Sequence, residues 1–267
     1  MQVVKLIFAI MIAFFFLGCN NLEQDITVEL PYHESQLVVE CYLEPGRKAQ
    51  LLLTESSGYF DSPQLPFVND AIVTITYKNT VDTLKVNSSF NEENVKFYNY
   101  VSSRVIPEDY HTDFYLTVSD SSGRKATAKT KLIRSLEIDS VTYKFKDSLA
   151  YVLASFHHDF NKDEYYRIVI HKDSLSNIIQ NFTFPDEFSD TEKISIGTRY
   201  EFKRGSQVFI SLYNLDKAYY DYLQSVEAAR NANGNPFAQP SAIKSNITGG
   251  IGIFTGLGYD FEGLVIE

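Results

Sequence analysis

The chain has 267 residues, 44% of them hydrophobic and 22% charged, with 18 tyrosines, 20 phenylalanines and no tryptophan. Such a composition excludes a disordered chain and is long enough for one large or two ordinary domains. A formal net charge of −10, spread without a basic block, argues against a nucleic-acid partner, because that binding rests on clustered Lys and Arg.

Residues 1–18 have the character of a targeting segment. Lys5 supplies a positive start, and Leu6 to Leu17 is an apolar run shorter than the roughly 20 residues a spanning helix needs. The run ends Phe16-Leu17-Gly18-Cys19, which looks like a bacterial lipobox, so Cys19 is the expected site of lipidation. More than one acyl chain there would anchor the chain stably to a membrane. Residues 19–35 are polar and acidic, suited to a lipid-anchored tether. Loss of residues 1–18 removes Lys5 alone among the charged residues and takes the net charge from −10 to −11. Cys41 is then the single cysteine besides the lipidated one. It alternates with Leu37, Val39 and Leu43, which places a buried, inert thiol on an apolar strand face.

From residue 36 onward the pattern is that of short strands. Leu37–Leu43 and Ala49–Thr54 flank Glu44-Pro45-Gly46-Arg47-Lys48, a hairpin signal. Ala71–Tyr77 alternates strictly, and Lys78-Asn79-Thr80 turns it into Val81–Val86. Val95–Val101, Phe114–Val118 and Arg124–Leu132 follow. Strands at this spacing suggest an immunoglobulin-like or transthyretin-like β-sandwich over residues 36–134. Near Ile133 to Leu136 one unit ends, and residues 135–267 form a second β-rich domain. Its strands are Ile138–Phe145, Ala150–His157, Glu164–His171, Ser176–Phe184 and the alternating run Val208 to Tyr213. The expected fold is therefore mainly β, two β-sandwich domains, the second carrying one amphipathic helix.

That helix covers about residues 216–231, with Tyr219, Tyr222, Leu223, Val226 and Ala229 on one stripe. Asp216 is the expected N-cap, Leu215 can staple against Tyr220, and Gly234 and Pro236 forbid continuation. Beyond it, Asn246 to Phe254 returns to strand, with glycines that let another backbone pass close.

Few stretches carry recognisable chemistry. Asp159, Asn161 and Asp163 match the first three ligand positions of a calcium loop. Glu164 replaces its turn glycine and Ile170 its bidentate acid, so the stretch is a weak calcium candidate and the better reading is a solvated inter-strand loop. His157 and His158 are adjacent and would point to opposite faces of a strand, which does not suit zinc. Asp186, Glu187 and Asp190 could supply paired carboxylates for a hydrolase, but read more simply as an acidic surface loop. No Gly-x-Ser-x-Gly, His-Glu-x-x-His or strand-to-helix Gly-x-Gly-x-x-Gly occurs. No catalytic residue, metal or cofactor is therefore assigned.

The order of several motifs resembles a Bacteroidota lipoprotein family known as domain of unknown function 4249. The matching residues are the lipobox at Cys19, Leu37-Val38-Val39-Glu40, Leu51-Leu52-Leu53-Thr54, Tyr59-Phe60 and Asp70 to Ile75. Further along they are Ile138-Asp139-Ser140-Val141, Asp163 to Arg167, Leu212-Tyr213, Tyr219 to Leu223, Asn233 to Phe237 and Asn246 to Gly250. Cys41-Tyr42 stands where many members carry Gly-Trp. The resemblance implies an outer-membrane lipoprotein, often found near TonB-dependent transporters, with no assigned catalytic residues. Together these features lead to the expectation of a non-enzymatic binding or accessory module, tethered at the outer membrane through Cys19 and partnered with a TonB-dependent transporter. Periplasmic or surface facing is left open by Asn20 to Asp25. Two alternatives stand beside it. One is an envelope hydrolase using clustered carboxylates. The other is a fimbrial-type structural subunit, in which a cut at Arg47 would release the first strand.

Overall fold

Alternation in β1 (Leu37–Leu43) sets the first layer, because Leu37, Val39, Cys41 and Leu43 point to one face and are fully buried there. The computed structural model describes residues 34–58, 64–91, 96–159, 162–188, 191–233 and 241–267. After β1 come β2 (Lys48–Glu55), β3 (Ile72–Tyr77), β4 (Thr80–Thr83), β5 (Lys85–Asn91), β6 (Lys96–Val105), β7 (Phe114–Ser119) and β8 (Lys125–Thr130). The chain continues with β9 (Ile138–Lys146), β10 (Leu149–His157), β11 (Tyr165–Lys172), β12 (Ile178–Pro185), β13 (Lys193–Gly197) and β14 (Gln207–Leu215). Helix α1 (Lys217–Ala232) precedes β15 (Gly250–Gly256) and β16 (Gly258–Val265). The protein is mainly β, with this one α-helix among the described residues.

The strands form four sheets, with orders β15-β1-β2-β6-β5, β4-β3-β7-β8, β13-β10-β9 and β12-β11-β14-β16. The first two enclose one core, in which Leu51, Tyr100 and Phe254 of the first sheet meet Val73, Phe114 and Leu116 of the second. They also meet along their edges. Thr127 bridges to Thr248 beside β15, and Asp82 of β4 accepts from the Ser103 and Arg104 N–H groups of β6 at 3.3 and 3.1 Å. This first lobe is thus nearly closed and barrel-like. The expected single strand Val81–Val86 is split, because the chain passes from the second sheet to the first at Leu84, which is buried. The other two sheets share a second core, built on Phe156, Tyr166, Phe202 and Ile210. Here β13, absent from the sequence expectation, pairs with β10.

Residues 35–267 form one compact unit. The reason is β15. It leaves the C-terminal half and pairs in parallel with β1 along its whole length, Leu37 with Gly250 through Leu43 with Gly256. Two glycines permit the approach. Gly252 has φ +127, and a Cβ there would collide with the Val39 backbone; one at Gly249 (φ +81) would collide with the Lys125 carbonyl of β8. Asn246 then holds the strand from the side. Its amide donates to the Phe254 carbonyl at 2.7 Å and its carbonyl accepts from the Phe254 N–H at 3.0 Å.

Helix α1 starts where its sequence dictates. Asp216 Oδ1 accepts from the Tyr219 N–H at 2.6 Å, satisfying one of the free donors of the first turn. Tyr219 and Tyr222 are buried, in a third cluster with Tyr42, Tyr98 and Ile253 on the outer face of the first sheet. Leu215 and Tyr220 belong to the same cluster, as a staple requires. At the other end the Asn233 N–H donates to the Ala229 and Arg230 carbonyls. The first sheet is therefore covered on both faces along β1.

Candidate functional site

Strand alternation sends every second residue of β1, β2, β6, β11, β14 and β16 away from the two cores. On β14, Val208, Ile210 and Leu212 are buried inward, so Ser211 and Tyr213 face outward. Pairing aligns Tyr213 with Tyr259 and Ser211 with Phe261 on β16. On the first sheet, Tyr42 is paired with Gln50 and Gln50 with Val101. These outward faces look at one another across a cleft of ≈ 560 Å³. Tyr42, Gln50, Tyr98 and Val101 line it from the first lobe, with Glu44 and Arg47 from the β1–β2 turn, Lys48 from the start of β2 and Asn91 from the end of β5. His171, Leu175, Ser211, Tyr213, Leu257, Tyr259 and Phe261 line it from the second. Its size falls in the range of about 300–1,000 Å³ common for small-molecule sites.

Two networks hold the tyrosine walls. Tyr213 and Tyr259 stack with ring centroids 5.2 Å apart. The Tyr259 hydroxyl is hydrogen-bonded to Glu44, and Glu44 in turn pairs with Arg47 at 3.2 Å. Burial, followed by the Glu44 charge, pushes the Tyr259 phenol up, so it stays a neutral donor. On the opposite wall Tyr42 donates to Glu40 at 3.1 Å and accepts from Lys96 Nζ at 2.7 Å, while that ammonium also lies 4.6 Å from its ring centroid. Tyr222 of α1 donates to the other Glu40 oxygen at 3.1 Å. Burial alone would raise the Glu40 carboxyl; Lys96, Tyr42 and Tyr222 outweigh it and hold the group below its ordinary value. Tyr42 therefore presents a ring fixed at both ends.

His171 is the unusual member of the lining. Only 5% of it is exposed, and its Nδ1 is buried without a hydrogen-bond partner. Burial lowers its pKa below the ordinary 6.5, so the ring is neutral at pH 7. Elsewhere in the lining, Asn91 Nδ2 donates to Gln50 Oε1 at 3.1 Å.

None of the described residues singled out for metal or carboxylate chemistry lines this cleft. Asp159 is ion-paired with Lys162 at 2.5 Å, Asp163 is exposed, and Asn161 lies outside the described residues. Glu164, where a calcium loop has glycine, instead accepts from the Tyr166 hydroxyl at 2.7 Å. Asp159 and Asp186 do act on that same hydroxyl, whose pKa is raised by burial first and then by Glu164 and the two aspartates. Asp186 also accepts from the Glu187 N–H at 2.8 Å, and Asp190 lies outside the described residues. No group of three or more His, Cys, Asp or Glu suited to a metal ion occurs among the described residues. His157 is exposed and paired with Asp139 at 2.6 Å, whereas His158 is buried against the Thr191 carbonyl, so the two do point to opposite faces. Arg47 sits in the β1–β2 turn next to Gly46 at φ +76. Cys19 lies outside the described residues.

A family model covering residues 23–260 matches this chain, under the description Domain of unknown function (DUF4249). The chain belongs to that family. No curated protein matches it. In this DUF4249 protein the matched span contains every residue lining the cleft except Phe261. No helix among its described residues is long and apolar enough to cross a membrane.

The cleft escaped the sequence because its walls come from strands far apart in the chain. A signal was present, however. Aromatic and amphipathic side chains occupy the outward positions Tyr213, Tyr259 and Phe261, on faces where a solvated sheet would carry simple polar residues.

Proposed function

We propose that this DUF4249 protein is a non-enzymatic binding module of the cell envelope, and that the cleft between the outward sheet faces is where it holds its ligand. The observation that carries this is the composition of the cleft: tyrosines held in place by Glu40, Glu44 and Lys96, between two facing sheet surfaces. Four of the polar side chains there are paired with one another, Glu44 with Arg47 and Asn91 with Gln50, which suits fixed recognition more than proton transfer. We place the protein at the outer membrane, lipidated on Cys19, with a TonB-dependent transporter as partner. The lipobox and the family resemblance support that placement. The second lobe, with its three- and four-stranded sheets facing across one core, is the part we assign to a sandwich of immunoglobulin or transthyretin type. A fimbrial role would require β1 to leave the middle of a sheet whose two faces are both covered.

Native mass spectrometry of the full-length protein from its own envelope tests the binding role. A small-molecule mass released on unfolding, and missing from a Ser211→Trp variant that fills the cleft, is the expected result. Bare protein in both samples, with an unaltered set of cross-linked envelope partners, would overturn it.

A further inference from the structure

We propose that β12 is an assembly edge, along which a second copy of this chain lays its own β12 antiparallel. Two four-stranded sheets then join into one of eight. The inference is independent of the cleft and of whatever occupies it.

The outer strand of a sheet exposes unpaired N–H and C=O groups, and proteins guard it with charge or cover. Among the described residues the four sheets end on eight strands. Six of these carry charge: Asp82 on β4, Lys85 on β5, Lys129 on β8, Lys144 on β9, Lys193 on β13 and Glu262 on β16. The seventh, β15, is uncharged but covered, its Gly256 lying against the backbone of Lys131 and Leu132. That leaves β12, which is uncharged from Ile178 to Pro185. Ile178 is 45% exposed and Phe182 38%. Residues 178–183 make no backbone hydrogen bond beyond β11 among the described residues. A register shift at Ile178 and Pro185 at the far end bound a regular stretch between them.

A strand that closes this edge must be extended, open along one side and free of charge, or charge is buried beside Phe182. Among the described edges β12 itself meets those terms and the charged ones do not. A two-fold axis supplies it from a second copy, through the same patch on each. The global charge points the same way. Copies with a formal net charge of −10 repel one another, and an uncharged line is where that repulsion is least. Sidedness then restricts the register. Phe182 is paired with Ile168 and shares its core-side face, whereas Asn181, paired with Val169, takes the opposite one. A slip by one residue would set the two faces against each other, so one residue of β12 stands opposite its own copy.

The test measures the mass of the full-length protein in detergent by sedimentation, for wild type, Phe182→Lys and Asn181→Asp. Asn181→Asp keeps an acceptor for Arg167 Nε, and circular dichroism confirms that each variant is folded. Wild type should form a dimer that tightens as salt rises from about 0.05 to 0.5 M, because screening relieves the repulsion between copies. Both variants bring like charges together across the edge and should weaken the dimer about tenfold or more. Gln180→Cys, Asn181→Cys and Phe182→Cys, made singly, should give a disulfide-linked dimer that is strongest at one position. Wild type, with Cys41 buried, sets the background. A monomer at every salt concentration, or a dimer equally strong in both charge variants, would overturn the proposal. Cross-links from these cysteines to a different envelope protein, without a self-linked dimer, would give the edge to that partner's strand and overturn it as well.

Discussion

Tyr222 of α1 donates its hydroxyl to Glu40 of β1 at 3.1 Å, across 182 residues of sequence. That contact ties α1 to β1, an interior strand of the first sheet, behind the Tyr42 wall of the cleft. The Glu40 side chain is 22% exposed and Lys96 35%, so the group is neither fully buried nor freely solvated.

Removing a single donor measures this link. Tyr222→Phe should cost about 1 kcal/mol, because Glu40 keeps Lys96 and Tyr42 as partners. Glu40→Gln adds a pH signature. The folded carboxyl titrates below its ordinary 4.5, so its contribution is complete above that value and lost as pH falls through the folded pKa. Urea unfolding of wild type and Glu40→Gln should therefore show a stability gap at pH 7 that narrows at a pH below the ordinary 4.5. An equal gap at both pH values would show that Glu40 acts by packing alone.

Gly252 is the position at which substitution should do most harm. Its φ of +127 is strained for any other residue, and the added Cβ would meet the Val39 backbone. Gly252→Ala should cost about 3 kcal/mol or more, since a paired backbone cannot move aside as a side chain can. Gly46→Ala gives the control. It also has positive φ but open space around it, and should cost only about 1 kcal/mol. Thermal unfolding of the two variants side by side would check the ranking, and equal losses would refute it.

The cap of α1 is a smaller and separable term. Asp216→Ala removes the acceptor for the Tyr219 N–H and should lower stability by about 1 kcal/mol, with Asp216→Asn recovering most of it. Hydrogen exchange should locate the loss in the first turn of the helix. Uniform loss of protection across both lobes would mean that the cap supports more than its helix.

The two cysteines should differ sharply in reactivity. Cys41 is fully buried, and burial pushes its thiol up, so a thiol reagent should leave it unmodified in the native protein and label it promptly after unfolding. Metabolic acyl labelling should fall on Cys19 and vanish in Cys19→Ala, which would accumulate as unprocessed precursor. A mature N-terminus elsewhere, without an acyl label, would refute the anchor.

Local chemistry was readable wherever it depended on neighbours in sequence. The Asp216 cap, the Tyr219–Tyr222 stripe, the inward face of Cys41 and the divergence of His157 and His158 all follow from helical or strand period. The glycines between Gly249 and Gly252 signalled a close backbone approach without naming the partner. Only the tertiary structure decided that the partners are β1 and β8, because which strand edges meet depends on unsatisfied backbone groups far away in the chain. The same pairing joins the C-terminal half of the chain to β1. The cleft was decided at that level too: periodicity says which side chains leave the core, but not which two outward faces will confront each other. Tyr42, His171, Tyr213 and Tyr259 become a site only once β15 returns to β1 and α1 closes over its outer face.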